Sequence, residues 1–164
     1  FKGYLPGGAS GGILPASMNK IPLDYGSKEL TDAGCFLGSA AIVVLSDKDN
    51  MKDVALNLLK FFEEESCGQC TPCREGAGWM WRILDRVNKR KATLSDIDLL
   101  SDVTKQIEGH TICAFGEGSA WPVQGLLRHF RKEIESRCWD EPLIKKKTNN
   151  PYLVDQHLLE NKNA

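Results

Sequence analysis

Two hydrophobic periods divide the chain near residue 46. Up to that point the apolar residues come in short pieces, LPGGASGGILPAS, IPLDYG and AGCFLGSAAIVVLS, each broken by Gly or Pro. Punctuation of this kind predicts small strands joined by tight turns. PGGASGG lacks the GxxxxGK[ST] pattern of a phosphate-cradling loop, and no clear helix opens after it, so it reads as a plain turn. The longest apolar run, AAIVVL at Ala40–Leu45, is strand-sized and falls well short of the roughly 20 residues that span a bilayer.

From Ser46 onward the period becomes helical. Ser46-x-x-Asp49 resembles a capping box with Asp in place of Glu, and Met51, Val54, Ala55, Leu58, Leu59 and Phe62 follow at helical spacing. That helix ends in Glu63-Glu64-Glu65, read as a solvated end rather than as partners for arginines. A second helix is predicted from Thr71-Pro72 through Trp79, Met80, Ile83, Leu84 and Val87 to the basic Lys89-Arg90-Lys91. A third opens at Ser95-x-x-Asp98, carries Ile97, Leu100, Val103 and Ile107, and stops at Gly109. A fourth opens near Trp121-Pro122 and continues through Val123, Leu126, Leu127, Phe130 and Ile134. Four amphipathic helices with short connections predict a bundle. Trp79, Trp81 and Trp121 are expected to pack in its core. Beyond Cys138 no apolar period is sustained, and the tail is expected to be extended.

Composition narrows the function classes. The 164 residues hold 41% apolar and 26% charged positions, enough for a core in an ordinary soluble protein. With 21 basic against 22 acidic residues the net charge is −1, which gives no electrostatic case for nucleic acid or an anionic membrane surface. The opening Phe1-Lys2-Gly3-Tyr4-Leu5 is no signal peptide and looks like mid-strand sequence, as in a fragment of a longer polypeptide.

The chemistry is concentrated in cysteine. ESCGQCTPCREG places Cys67, Cys70 and Cys73 two residues apart, and after 39 intervening residues Cys113 follows in GHTICAFG. Both stretches fall between predicted helices, and in an antiparallel bundle those two connections share one end. Three close thiolates and one distant one suit a [4Fe–4S] cubane, in which each cysteine binds its own iron. A [2Fe–2S] site is less well matched by the triplet. A zinc site, as in a zinc-stabilised interaction domain, would ask three consecutive teeth to converge on one ion, and a CxxC dithiol would leave Cys73 without a role. Disulfides are disfavoured because cysteines this closely spaced do not readily reach the roughly 4.4–6.8 Å Cα separation of a bridge. Gly68 lets the backbone come close to the site, and the helix starting at Thr71 adds N–H donors and a positive dipole end. Arg74 is the candidate cation beside the cluster, or else a surface partner of Glu75 or Glu117. Pro72 and Ile112 are expected to keep water from the sulfurs. His110 reads as a hydrogen-bonding loop residue, and Cys35 and Cys138 as inert thiols.

ESCGQCTPCREG, GWMWRIL and VTKQIEGHTICAFGEGSAWPVQGLLRHFRKEIE closely resemble the C-terminal part of the NADH- and flavin-binding component of respiratory complex I, a family matched over roughly residues 1 to 137. GGASGGILP, LDYG and GCFLGSAAIVVLSD are similar to that family's small β-grasp-like (SLBB-type) domain. GGASGGILP and GCFLGSAA also resemble the flavin subunits of NAD-dependent formate dehydrogenases and hydrogenases. The resemblance implies an α+β chain: a partial β-grasp-like domain at 1–46, a four-helix bundle at 47–137 and a tail at 138–164. It implies a [4Fe–4S] cluster on Cys67, Cys70, Cys73 and Cys113, with Gly68 and Arg74 close around it. The implied role is electron relay from FMN, reduced by NADH, toward quinone. FMN and NADH would bind an upstream glycine-rich domain that nothing here matches, so this segment alone is expected to be inactive, and it shows no acid–base catalytic set. Implied partners are subunits of the peripheral arm, including a thioredoxin-like [2Fe–2S] subunit and a multi-cluster iron–sulfur subunit. The implied location is peripheral, on the cytoplasmic side of a bacterial inner membrane or the matrix side of the mitochondrial one.

Overall fold

The computed structural model describes residues 1–139, so the expectations for the rest of the tail lie outside the described residues. It combines a small three-stranded sheet with five α-helices. Strand β1 (Gly3–Leu5) lies centrally, antiparallel to β2 (Leu14–Pro15) on one side and β3 (Val43–Leu45) on the other. Tyr4 faces Leu14 across one ladder and Val44 across the other. PGGASGG forms the turn between β1 and β2. A Cβ on Gly7 would come within 2.2 Å of the Phe36 carbonyl, so only glycine lets this turn lie on the segment after Cys35.

One element in this part was not anticipated. Helix α1 (Lys28–Asp32) opens where the Ser27 hydroxyl accepts from the Leu30 backbone N–H at 3.2 Å. Five residues are too short for an apolar period to register, and only the cap hinted at it.

The long helices follow the apolar pattern more closely than its caps. Helix α2 (Met51–Glu65) is capped by Asn50, whose Oδ1 accepts from the Lys52 N–H at 3.0 Å. The Ser46–Asp49 pair instead closes a turn ahead of it, with Asp49 accepting from the Ser46 backbone at 2.6 Å. Helix α3 (Thr71–Asn88) begins one residue past its cap, Cys70, with Pro72 in the first turn where its missing N–H costs nothing. Helix α4 (Leu94–Ile107) starts at Thr93 rather than at Ser95: the Asp96 carboxylate accepts from the Thr93 N–H at 2.8 Å, completing a capping box. It ends as expected, with Gly109 in the left-handed region at φ 74°.

Helix α5 (Phe115–Glu135) departs most from expectation. It starts at Phe115, not near Trp121, and Pro122 lies at the close of its second turn. The glycines that made 115–121 look unlike helix are required by packing. A Cβ on Gly116 would meet the Thr111 side chain at 2.3 Å, and one on Gly118 would meet Ser10 at 2.9 Å. Tertiary fit here overrides propensity. The helix bends at Phe130 (φ −125°, ψ 16°).

Helices α2 and α4 each pack against both α3 and α5, and one apolar cluster runs through all four. Leu5, Ile13 and Leu45 belong to the same cluster, so the sheet is built onto the helices rather than hung beside them. Polar ties reinforce the join: Lys2 pairs with Glu133 at 2.8 Å, and Arg128 donates to the Ala33 carbonyl at 2.6 Å. Tryptophan placement corrects the sequence reading. Trp79 is exposed, Trp81 is half-buried with the Lys60 ammonium 5.0 Å above its ring, and Trp121 packs edge-on against Phe36. The acidic end of α2 is also less solvated than expected, since Glu63 pairs with Lys60 at 3.0 Å and with Arg82 of α3 at 3.9 Å.

Burial therefore separates two substitutions that the sequence treats alike. Leu126 is fully buried, so Leu126→Ala should cost about 2–5 kcal/mol in urea unfolding. Trp79→Ala, at an exposed position, should stay within about 0.5 kcal/mol of the parent.

Candidate metal centre

The α2–α3 connection, Ser66–Cys70, and the α4–α5 connection, Glu108–Ala114, meet at one end of the helices. Phe62 in the last turn of α2 and Phe115 at the start of α5 lie edge to face with ring centroids 5.6 Å apart. The Ile107 side chain at the end of α4 lies against Gly76 in the first half of α3. Cys67, Cys70 and Cys73 thus share an end with Cys113, the end at which the order of predicted helices put them.

Each thiol has its own setting. Cys70 is the N-cap of α3, and its carbonyl accepts from the Arg74 N–H at 3.0 Å. Cys73 sits in the first turn and is buried, whereas Cys67 and Cys113 are exposed. Burial pushes the Cys73 thiol above its ordinary value, the Ser66 hydroxyl opposes that shift, and Cys70, Cys113 and Cys67 add to it by their charge. All three other thiols are therefore within electrostatic reach of Cys73. None of the four forms a disulfide. Among the described residues no three His, Cys, Asp or Glu side chains gather closely enough to hold a single metal ion.

Gly68 turns the Cys67–Cys70 loop with φ 76°, a conformation that favours glycine. Its Cβ position faces open space apart from the Arg74 Cδ at 3.8 Å, so the backbone there stays accessible. Arg74 makes the anticipated pair with Glu75 and also reaches back to the cysteine loop. Its Nη1 donates to the Gly68 carbonyl at 2.9 Å, its Nη2 reaches the Thr71 hydroxyl at 3.3 Å, and its Nε pairs with Glu75 at 3.0 Å. The guanidinium braces the loop and brings a positive charge to it. Glu117 is not its partner; that carboxylate accepts from the Gly109 N–H at 3.0 Å.

On the opposite strap, the Thr111 hydroxyl donates to the Cys113 carbonyl at 2.9 Å, fixing the turn that carries the fourth thiol. His110 is a loop residue with Nδ1 2.9 Å from the Glu108 carbonyl. Ile112 is 74% exposed, which corrects the expectation that it shields the sulfurs; Phe62 and Phe115 are the apolar groups that meet at this end. Cys35 is remote and buried, its thiol pushed up to about 11 by desolvation, which makes it unreactive at neutral pH.

Sequence reasoning passed over two residues. Glu108, the C-cap of α4, accepts from Trp121 Nε1 and from Gln124 Nε2, both at 2.7 Å. It clamps α4 to α5 immediately below the Cys113 strap. Ser66, the C-cap of α2, places its Oγ 3.3 Å from the Cys73 sulfur. Nothing in a single sequence distinguishes either from a solvated helix end.

Known proteins share this arrangement of sequence. Residues 53–137 match the model of the NADH-ubiquinone oxidoreductase-F iron–sulfur binding region, a [4Fe–4S] family. The chain belongs to this family. It is 52% identical over 136 residues to an NADH-quinone oxidoreductase subunit of Rickettsia rickettsii, a match that covers 83% of this chain and 32% of the relative. A match to the corresponding protein of Rickettsia conorii is 48% identical over 143 residues and covers 87% and 34%. The chain thus spans about a third of the length of the curated relatives it matches. Among solved structures, a chain of the NAD+-reducing [NiFe]-hydrogenase in its H2-reduced state superposes with a TM-score of 0.73 at 25% identity, over 86% of this chain and 23% of that one.

The Glu108 clamp has a defined pH signature. Hydrogen bonds from Gln124 and then Trp121 hold its carboxyl below the ordinary 4.5. A depressed folded-state value contributes stability above the unfolded value and loses it as pH falls. Glu108→Ala should therefore be less stable than the parent by an amount steady from about pH 7 to 5. In urea titrations that gap should shrink as the pH drops below 4.5.

Proposed function

We propose that Cys67, Cys70, Cys73 and Cys113 hold a [4Fe–4S] cluster and that the chain is an electron-relay segment of an NADH-oxidising flavoprotein subunit. The observation that carries the reading is the meeting of two inter-helix connections at one end, which puts the free thiols of Cys67, Cys70 and Cys113 within electrostatic reach of the buried Cys73. An all-thiolate donor set matches [4Fe–4S] ligation, in which each cysteine takes its own iron. Zinc would draw all its ligands onto one centre, which three thiols spaced two residues apart are poorly placed to satisfy. Helices α2 to α5, each packed on at least two of the others, fit a four-helix bundle, and the three-stranded sheet fits part of a β-grasp-like domain.

When bound, the cluster supplies one-electron redox chemistry. The residues of the chain prepare its place. The α3 N-terminus directs N–H groups and a positive dipole end toward an anionic group, Arg74 adds a cation, and burial of Cys73 keeps one side of the site from water. In this reading electrons arrive from FMN reduced by NADH, both bound by a domain outside this segment. They leave singly through neighbouring iron–sulfur subunits, including a thioredoxin-like [2Fe–2S] subunit and a multi-cluster one, toward quinone. Among the described residues no helix is long and apolar enough to cross a membrane, which fits a peripheral position on the cytoplasmic or matrix side. The hydrogenase superposition favours one second reading, the same module serving an NAD-linked hydrogenase.

Anaerobic reconstitution with iron and sulfide, followed by EPR of the dithionite-reduced chain, tests the proposal. The expected spectrum is that of a reduced [4Fe–4S] cluster. A chain that takes up zinc and stays EPR-silent would contradict it.

A further inference from the structure

Building on the cluster reading, we infer that the Ser66 hydroxyl donates a hydrogen bond to the Cys73 sulfur and raises the reduction potential of the bound cluster. Ser66 Oγ lies 3.3 Å from Cys73 Sγ. The direction of the bond follows from the chemistry of a ligating sulfur. The Gly68 N–H, 3.4 Å away, donates to the same Oγ and occupies an acceptor position on it. A cysteine sulfur that ligates iron is a thiolate and has no proton to give, so it can only accept. The hydroxyl proton therefore points to the sulfur, in a short relay from Gly68 N–H through Ser66 Oγ to Cys73 Sγ.

Three features make this contact matter. Ser66 is held in place as the C-cap of α2, with extended backbone at φ −61° and ψ 124°. Gly68, with φ 76°, turns the chain so that its N–H faces back to the hydroxyl. Cys73 is the one buried thiol of the four, at 5% exposure, so no bulk water replaces a lost donor there. Cys67 and Cys113 are exposed, so a lost protein donor there can be replaced by solvent. Reduction adds negative charge, and a donor aimed at a cluster sulfur stabilises the more negative state, which moves the potential upward. Ser66 is thus a positioning and tuning residue that acts through Cys73, not a ligand.

Redox titration followed by EPR on the reconstituted chain decides the matter, with wild type, Ser66→Ala, Ser66→Gly and Ser66→Thr compared. Proton ENDOR in H2O and in D2O is run on the same samples. The variants without a hydroxyl should bind iron and sulfide like wild type but reduce at lower potential. At the wild-type midpoint their oxidised-to-reduced ratio should rise at least threefold, which is about 28 mV for a one-electron couple at 59 mV per decade. Ser66→Thr should restore the wild-type midpoint. One exchangeable proton coupling should be present in wild type and Ser66→Thr and absent from the other two. Variants lacking the hydroxyl that keep the midpoint and every coupling would overturn the inference, as would a Thr variant that behaves like Ala. A wild-type chain that forms no cluster would instead overturn the reading on which the inference rests.

Discussion

The edge-to-face contact between Phe62 and Phe115 ties the last turn of α2 to the first residue of α5, and the four-thiol site depends on it. Cys67, Cys70 and Cys73 follow Phe62 along the chain, and Cys113 precedes Phe115 by two residues. Any slippage of α5 relative to α2 would draw the fourth thiol away from the other three. The Glu108 clamp to Trp121 and Gln124 secures the same end from the α4 side, so the strap bearing Cys113 is anchored at both of its roots. Aromatic pairs contribute only about 0.5–1.5 kcal/mol beyond their buried area. Here the small energy acts where it sets geometry.

The same constraint explains the glycine-rich start of α5. Gly116 and Gly118 leave room for Thr111 and Ser10, which presses the Cys113 strap and the β1–β2 turn against the helix. Side chains there would force the strap outward. Lys2, beside β1, is anchored to the far part of α5 by Glu133, and the end of α1 is anchored to its middle by Arg128, which donates to the Ala33 carbonyl. α5 is the element on which the sheet, the bundle-like packing and the site all converge.

Much of this was legible in the sequence because it rests on periodicity and spacing. Apolar residues at helical intervals located the cores of α2, α3, α4 and the latter half of α5, and the CxxCxxC triplet with Cys113 located the thiols. What the sequence concealed depends on contacts between distant residues. Gly116 and Gly118 read as helix breakers until Thr111 and Ser10 are seen against them. Trp79 and Trp81 are alike on paper, yet only their rotation about α3 makes one exposed and the other half-buried. Ile112 looked like a shield for sulfur because it is apolar, but its loop turns it outward. Ser66 and Glu108 resemble ordinary polar helix ends until their partners across the connections are known.

The central claim is that the Cys67–Cys73 stretch and Cys113, with 39 residues between Cys73 and Cys113, jointly ligate one cluster. Iron and sulfide analysis with Mössbauer spectroscopy of Cys113→Ser, beside the parent reconstituted in parallel, tests it most directly. The account predicts four irons and four sulfides per parent chain, and in the variant a lost cluster or one with a single altered iron site. A variant whose four iron sites match the parent's would show that Cys113 is not the fourth ligand and would contradict the account.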